Sequence, residues 1–563
     1  MEADRGRAVS ASAWIASTLY RAAAAPASAR FARALRDPAA AQAAILHRIL
    51  RENRDTDFGR THGFAEIRDA ADFRARVPVR DYAELEGWIR RACDGQPDAL
   101  TAAPVRFVEP SGGTSGLSKE VPYTQRLLAE FSAATMPWIA DLLRSRPALR
   151  GGQAYWAVSP PSRRRERTAG GVPVGMEHDS DYFPPLVRAL LDRSLGVPRA
   201  VSRIPDLAAC RRVTLRALLA MPELAMISVW SPSFLTLLAG ALDEEWEALL
   251  GEMESGRLSA ALAPGLRTEL ERALPARPER AAALRRRFGR RPPEDLGAVW
   301  PRLALVSCWA DGHARRALEG MRPRFPRVEV QGKGLLATEG VVSIPLFRAE
   351  APVAAVTSHY LEFLPDGDAG GALGVHQVEP GATYEVVLTT GGGLYRYRLK
   401  DRVRVEGWLE RTPMLRFVGR ADRASDLAGE KLTPELVEHV LTSAAAETGI
   451  HLPFALLAPA WGEPPRYRLY AQAAPDDARA LAAAVERILL DAHHYGLCRA
   501  LGQLGPVEGV AVADGERVYE RVCTARGQRA GSIKPPALDA GTEWAQVFAA
   551  AEPRLAGAGK GRG

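Results

Sequence analysis

The chain has 563 residues, a net charge of +7, 47% hydrophobic residues and 25% charged residues. That balance is the one expected of a soluble globular protein with several core-bearing units, and no uninterrupted apolar run of about 18 residues is present to span a membrane. The basic excess is small for this length. Its clusters, Arg163 to Arg165 and Arg285 to Arg291, are short and sit near prolines, so no nucleic-acid partner is expected.

Five cysteines are scattered without a C-x-x-C pair, which argues against a disulfide framework or a zinc site. With acidic Glu2 and Asp4 near the start and no apolar signal core, a cytoplasmic protein is expected. Of the 74 basic residues only six are lysine: Lys119, Lys333, Lys400, Lys431, Lys534 and Lys560. A chain that meets its general need for charge with arginine keeps lysine where a compact, flexible ammonium is wanted.

Residues 1 to about 100 read as helical, with apolar periodicity around Ala43 to Leu50 and Tyr82 to Ile89. Between those stretches, Thr56 to Phe64 reads as a loop. From about 104 to 410, β-branched and aromatic runs alternate with helical ones. The strand candidates are Ala154 to Val158, Leu303 to Cys308, Val353 to Leu364, Glu385 to Thr390 and Arg402 to Leu409. A long helical block is expected between Pro205 and Pro301. After Arg420 a separate α+β unit follows, with strands at Phe454 to Leu457, Tyr467 to Ala473 and Val507 to Val512, and a helix at Asp477 to Asp491. The fold class is therefore α/β. A large N-terminal multilayer domain over 1–420 precedes a small α+β domain over 421–555 and a disordered tail over 556–563.

Five segments carry chemistry. Ser111-Gly-Gly-Thr-Ser-Gly-Leu-Ser-Lys119 joins two extended stretches. Its glycines allow consecutive N–H groups to converge on phosphate oxygens, Ser111, Thr114 and Ser115 add hydroxyls, and Lys119 adds a cation. Gln331-Gly-Lys-Gly-Leu-Leu-Ala-Thr-Glu-Gly340 sets the Glu339 carboxylate between glycines, where it suits Mg²⁺ shared with substrate phosphates. In Leu394-Tyr-Arg-Tyr-Arg-Leu-Lys-Asp401, alternation puts Tyr395, Tyr397 and Leu399 on one face and Arg396, Arg398 and Lys400 on a solvated one. Asp401 ends that strand as a carboxylate suited to ribose hydroxyls. Phe417 to Leu432 has the character of a hinge bracketed by Gly419 and Gly429, and Thr433-Pro434 opens a helix. Last, Lys534 lies in the glycine-rich loop Gly527 to Pro536.

This ordered set, with Val77-Pro-Val-Arg-Asp-Tyr82 and Trp309-Ala-Asp-Gly312, resembles the acyl-adenylate-forming superfamily and, more closely, the Gretchen Hagen-type acyl-acid amido synthetases of the auxin-responsive promoter family. The resemblance runs from about Thr56 to Pro536. It implies a ligase using ATP and magnesium to adenylate a small carboxylic acid and hand the acyl group to an amine, typically an amino acid. It also implies a mobile C-terminal domain. Ser111, Thr114, Ser115 and Lys119 would cradle phosphates, Thr338 and Glu339 would contact AMP and magnesium, and Asp401 would hold the ribose. Arg420 and Lys431, in the hinge, would reach the nucleotide, and Lys534 would act at the α-phosphate. The sequence departs from the pattern at Leu335 (often aromatic), Lys400 (usually Gly) and Glu120, which offsets Lys119. Two alternatives stay open: a coenzyme A or carrier-protein ligase, and a non-catalytic adenylate-binding protein. The expected partners are small molecules, with no nucleic acid and no membrane, and the expected state is a monomer. Trp230, Phe234 and Tyr360 are aromatic pocket candidates that read equally as core.

Overall fold

The computed structural model describes residues 11–111, 119–157, 167–175, 195–311, 314–365, 371–421, 424–525 and 535–555. It divides into two compact units, the first built from Met1–Ser111 and Glu120–Ala421, the second from Gly112–Lys119 and Asp422–Gly563. The sequence expectations for Thr114, Ser115 and Lys534 lie outside the described residues.

The first unit opens with helices α1 (Ala11–Ala34), α2 (Pro38–Asn53), α3 (Asp57–Thr61), α4 (Ala70–Arg76) and α5 (Tyr82–Cys93). Their starts follow capping chemistry. Asp37 accepts from Ala40 N–H ahead of Pro38 in α2, and Thr56 accepts from Gly59 N–H at 3.0 Å in α3. The loop expected over Thr56 to Phe64 is thus a short capped helix with a further turn over Phe64–Glu66. Phe58 inside it is fully buried, 4.6 Å from the Tyr395 ring. The segment looked like a loop because its two glycines and polar residues mask a helix only five residues long.

Strands β1 (Val105–Ser111) and β2 (Lys119–Thr124) pair, and α6 (Gln125–Ser145) follows, capped by Thr124. A parallel sheet comes next, in the order β3 (Gln153–Trp156), β4 (Leu224–Ser228), β5 (Leu305–Cys308) and β6 (Glu329–Gly332). One face, with Ile227, Val306 and Cys308, packs on the helices between Leu207 and Met321. The other, with Met226 and Leu305, meets Leu142 of α6. The block expected to be helical between Pro205 and Pro301 therefore holds a strand, β4. Every residue of β4 is buried, and a short apolar run buried on both faces has no period that separates strand from helix.

A small hairpin of β7 (Leu336–Ala337) and β8 (Gly340–Val341) leads into an antiparallel sheet. Its members are β9 (Ser343–Ile344), β10 (Val353–Ala354), β11 (Tyr360–Pro365), β12 (Leu373–Gly374), β13 (Thr383–Thr389), β14 (Tyr397–Leu409) and β15 (Thr412–Arg420), in spatial order β12-β11-β13-β14-β15-β10-β9. The single strand expected over Val353 to Leu364 is two, because a turn at Ala355 to Ser358 breaks it and Ser358 Oγ donates to Glu130 O at 2.9 Å. The core of this unit joins the inner side chains of β11, β13, β14 and β15 to Phe58, Phe73, Leu85 and Ile89.

The second unit holds β16 (Ala455–Ala460) antiparallel to β17 (Arg466–Ala471), which runs parallel to β18 (Glu508–Ala511). Helix Pro434–Thr448, capped by Thr433 as its sequence predicts, packs with Pro475–Leu489 in one core. Beneath them Glu430 is 3% exposed and accepts from the N–H groups of Leu427 and Ala428 and from the Tyr467 hydroxyl. Burial, with Asp426 nearby, pushes its carboxyl up to about 7. A carboxyl raised above its unfolded value contributes stability below about pH 4.3 that is lost as pH rises through 7. Amide exchange around Glu430 should accelerate between pH 5 and pH 8 beyond the intrinsic rate, and Glu430→Gln should flatten that excess.

Candidate active site

The sequence places its candidate residues on separate segments, and the fold of the first unit brings several of them around one phenol. Tyr397 opens β14 and is 1% exposed. Its hydroxyl lies 3.5 Å from Glu339 Oε1, and Glu339, Asp401, Tyr82 and Arg420 are the charges and phenol that act on it. Burial first, then the neighbouring carboxylate of Glu339, raises the Tyr397 pKa well above its ordinary value, so it stays a neutral hydrogen-bonding group.

Two further tyrosines fix the surroundings. Tyr123, at the end of β2, donates to the Thr338 carbonyl at 2.6 Å and so anchors the Thr338-Glu339 turn. Tyr82, the first residue of α5, accepts from Glu120 N–H at 2.8 Å. The Val77-Pro-Val-Arg-Asp-Tyr82 segment reaches this position by pairing with the start of β14: Arg80 N–H donates to Arg396 O at 3.0 Å, and Arg398 N–H to Arg80 O at 2.9 Å. Burial raises the pKa of Glu120. Lys119 is itself buried at the start of β2, and Ser111 closes β1.

Asp401 is 7% exposed and pairs with Arg420 Nη1 at 3.2 Å across β14 and β15. Asp401 does not end its strand, as the sequence suggested; β14 runs on to Leu409. Nor is Arg396 on a solvated face. It is 4% exposed, with Nε donating to Glu362 Oε2 at 2.9 Å and Nη1 to the Val77 carbonyl at 2.7 Å. Its φ of +48° breaks the extended backbone just before β14, so the two-residue period cannot reach back to it. From Tyr397 to Val405 the alternation of buried and less buried residues does hold.

Lys400, where the resembled family usually has glycine, has φ of +64°. This is the left-handed region that favours glycine, and a side chain there costs roughly 1–2 kcal/mol. The conformation aims the Lys400 carbonyl at Ala421 N–H, 2.6 Å away, and Lys400 Nζ lies 3.3 Å from Asp81 Oδ2.

Beside the same strands lies a cavity of about 780 Å³, lined among others by Ala310, Asp311, Arg404, Glu406, Arg416 and Phe417. Arg416 bridges Asp311 at 3.1 Å and Glu406 at 2.9 Å, and burial raises the Asp311 pKa. Lys431 lies in the second unit with φ of +49°. Tyr360 is core, set edge-on to Phe73, and Phe234 packs on the helical layer of the parallel sheet. Tyr82, Tyr123 and Tyr397 were not singled out from sequence as structural supports. The signal was there for Tyr82, which closes the Val-Pro-Val-Arg-Asp-Tyr run.

Among the described residues no group of three or more histidine, cysteine or acidic side chains converges on one point. Magnesium held by a carboxylate and substrate phosphates does not need one, and Glu339, beside a neutral phenol, has the oxygen chemistry to be that carboxylate.

In overall form the chain matches a solved acyl acid amido synthetase in complex with 2,4-DB. The TM-score is 0.64 over 93% of this chain and 95% of that one, at 21% identity, and the likeness is one of fold. The chain belongs to the GH3 family: residues 27–330 match its N-terminal domain and residues 353–420 its central domain. A probable indole-3-acetic acid-amido synthetase, GH3.12, of Oryza sativa subsp. japonica is 28% identical over 74% of both chains. The jasmonoyl–L-amino acid synthetase JAR6 of Nicotiana attenuata is 26% identical over 73% of this chain and 74% of its own.

The conformation of Lys400 yields a test. Lys400→Gly should lie within about 1 kcal/mol of the parent in urea denaturation, relief of strain offsetting the added freedom of the unfolded chain. Lys400→Val should lose about 2 kcal/mol or more, since a β-branched residue tolerates positive φ worst.

Proposed function

We propose that this chain is an ATP-dependent acid-amido synthetase. The acid's carboxylate oxygen attacks the α-phosphorus of ATP, the bond to the bridging oxygen breaks and pyrophosphate leaves. An amine nitrogen then attacks the acyl carbonyl, AMP leaves, and an amide results. The observation that carries the reading is the Glu339 carboxylate beside the Tyr397 hydroxyl, with Asp401 on the same strand as Tyr397 and paired with Arg420, in a chain of this family. The rice relative is named for an acid-amido synthetase and the Nicotiana attenuata relative for joining a jasmonoyl group to an L-amino acid, and we carry over an acid and an amino acid as substrates while leaving the acid open.

In this reading Ser111, Thr114, Ser115 and Lys119 bind phosphate oxygens, Thr338 and Asp401 hold AMP, and Arg420 and Lys431 steady it. Glu339 would hold magnesium, whose chemistry there would be to neutralise phosphate charge. Lys534 is the cation of the adenylation transition state, where oriented charge contributes most. The body over 1–420 stays fixed while 421–555 moves between half-reactions. A cytoplasmic monomer is the expectation carried forward from the sequence.

Pyrophosphate release should depend on ATP, Mg²⁺ and one class of carboxylic acid, with a hydroxamate formed when hydroxylamine replaces the natural amine. Capture of the acyl group by coenzyme A but not by any amine would transfer the chain to the thioester-forming class. Asp401→Ala should weaken ATP binding by calorimetry on the order of tenfold to a hundredfold, the loss of hydrogen bonds to a charged group. Lys534→Ala should slow adenylation by roughly 10²-fold or more while ATP affinity changes little. Equal rates in that variant and the parent would remove the lysine from the mechanism.

A further inference from the structure

At the carboxyl ends of the parallel strands, Trp156, Ser228, Ser307 and Gln331 stand in one row, paired in register across β3, β4, β5 and β6. This edge of a parallel sheet is where α/β folds collect ligand-binding groups. Lys333 follows β6 directly and is 1% exposed. Its Nζ donates to Ser228 Oγ at 2.6 Å. Three indoles surround it, with ring centres 5.5 Å away for Trp138 and 5.1 Å for both Trp156 and Trp230. Trp138 Nε1 donates to Gln331 Oε1 at 3.1 Å, which locks that ring in place. Ser307, between Ser228 and Gln331 in the row, has a buried hydroxyl with no hydrogen-bond partner among the described residues.

A lysine ammonium set among indole faces is held by cation–π attraction. In so dry a setting an anionic oxygen gains far more from that charge than it would in water. Trp156 and Trp230 are half-buried. Lys333 precedes Thr338, in the turn assigned to AMP, by five residues, so the cage stands within about 18 Å of that turn, and an acid lying between the two would turn its far end to Lys333.

We propose that Lys333 and Ser307 read the far end of the acid. The preferred substrates are planar acids with a second anionic or acceptor oxygen, a carboxylate or phenol, opposite the carboxylate that is adenylated. This rests on the amido-synthetase reading and adds the substrate class.

The test compares benzoate, 4-hydroxybenzoate and 4-carboxybenzoate in pyrophosphate release by the parent, Lys333→Met and Ser307→Ala, with ATP affinity measured alongside by calorimetry. The parent should favour an oxygen-bearing acid over benzoate by at least about tenfold in kcat/KM, a difference of about 1.4 kcal/mol. Lys333→Met should erase or invert that preference with ATP affinity unchanged, and Ser307→Ala should reduce it several-fold. A parent indifferent to the second oxygen, or variants that lose all three acids in equal proportion, would overturn the proposal while leaving the amido-synthetase reading intact. If Lys333→Met does not fold, Ser307→Ala decides alone, and an unaltered preference in it counts against the proposal. Release by the parent from none of these acids, nor from any in a wider panel, would sink the function reading and this inference with it.

Discussion

The Glu130 carboxylate, 3% exposed inside α6, ties the first unit together. It accepts from Arg48 Nη2 of α2 at 2.7 Å and from Gly391 N–H at 2.8 Å, and it lies 2.9 Å from His359 Nδ1 beside β11. A buried charge is tolerated only when it is answered by partners, and deleting one member of such a set costs roughly 3–5 kcal/mol. The helical N-terminus, α6, the lead into β11 and the glycine turn after β13 are thus held to one point. A Cβ at Gly391 would fall 2.8 Å from the Glu130 carboxylate, so this turn needs the missing side chain. Thr124 adds a second tie by donating to the Gly391 carbonyl at 2.8 Å. Because the turn feeds β14, the placement of Tyr397 and Asp401 depends on this buried carboxylate.

Around those residues the protein uses neutral phenols where it needs to position carboxylates and backbone. Tyr82, Tyr123 and Tyr397 supply directional hydroxyls without adding charge at the pH of the cell, since burial raises the pKa of Tyr82 and Tyr397. Net charge is left to Glu339, Asp401, Arg420 and the lysines, which suits a site whose ligand is itself highly anionic.

How much of this was legible in sequence depended on whether a feature is local. Thr433-Pro434 announced its helix because capping is decided by a few neighbouring residues. Glu339 and Asp401 stood out because carboxylates among glycines, or after alternating aromatics, have few structural uses. β4 was hidden because burial on both faces erases periodicity. Arg396 was misread because its partner Glu362 is 34 residues away and its backbone leaves the strand conformation. Lys333 drew attention only as a rare lysine, since its cage is assembled from three strands and a helix that no sequence window joins.

Gly340, directly after Glu339, lies against the His359 ring: a Cβ there would come within 2.9 Å of both Cδ2 and Nε2. Since His359 is fully buried and held by Glu130, the ring has nowhere to retreat. Any lineage that replaced this glycine had first to shrink the histidine, and the histidine could not be shrunk without removing one of the partners of Glu130. The two positions are open to change in one order only, and the intermediate along that route carries a less stable core. A side chain at the glycine position in a relative therefore implies that its histidine has already been replaced.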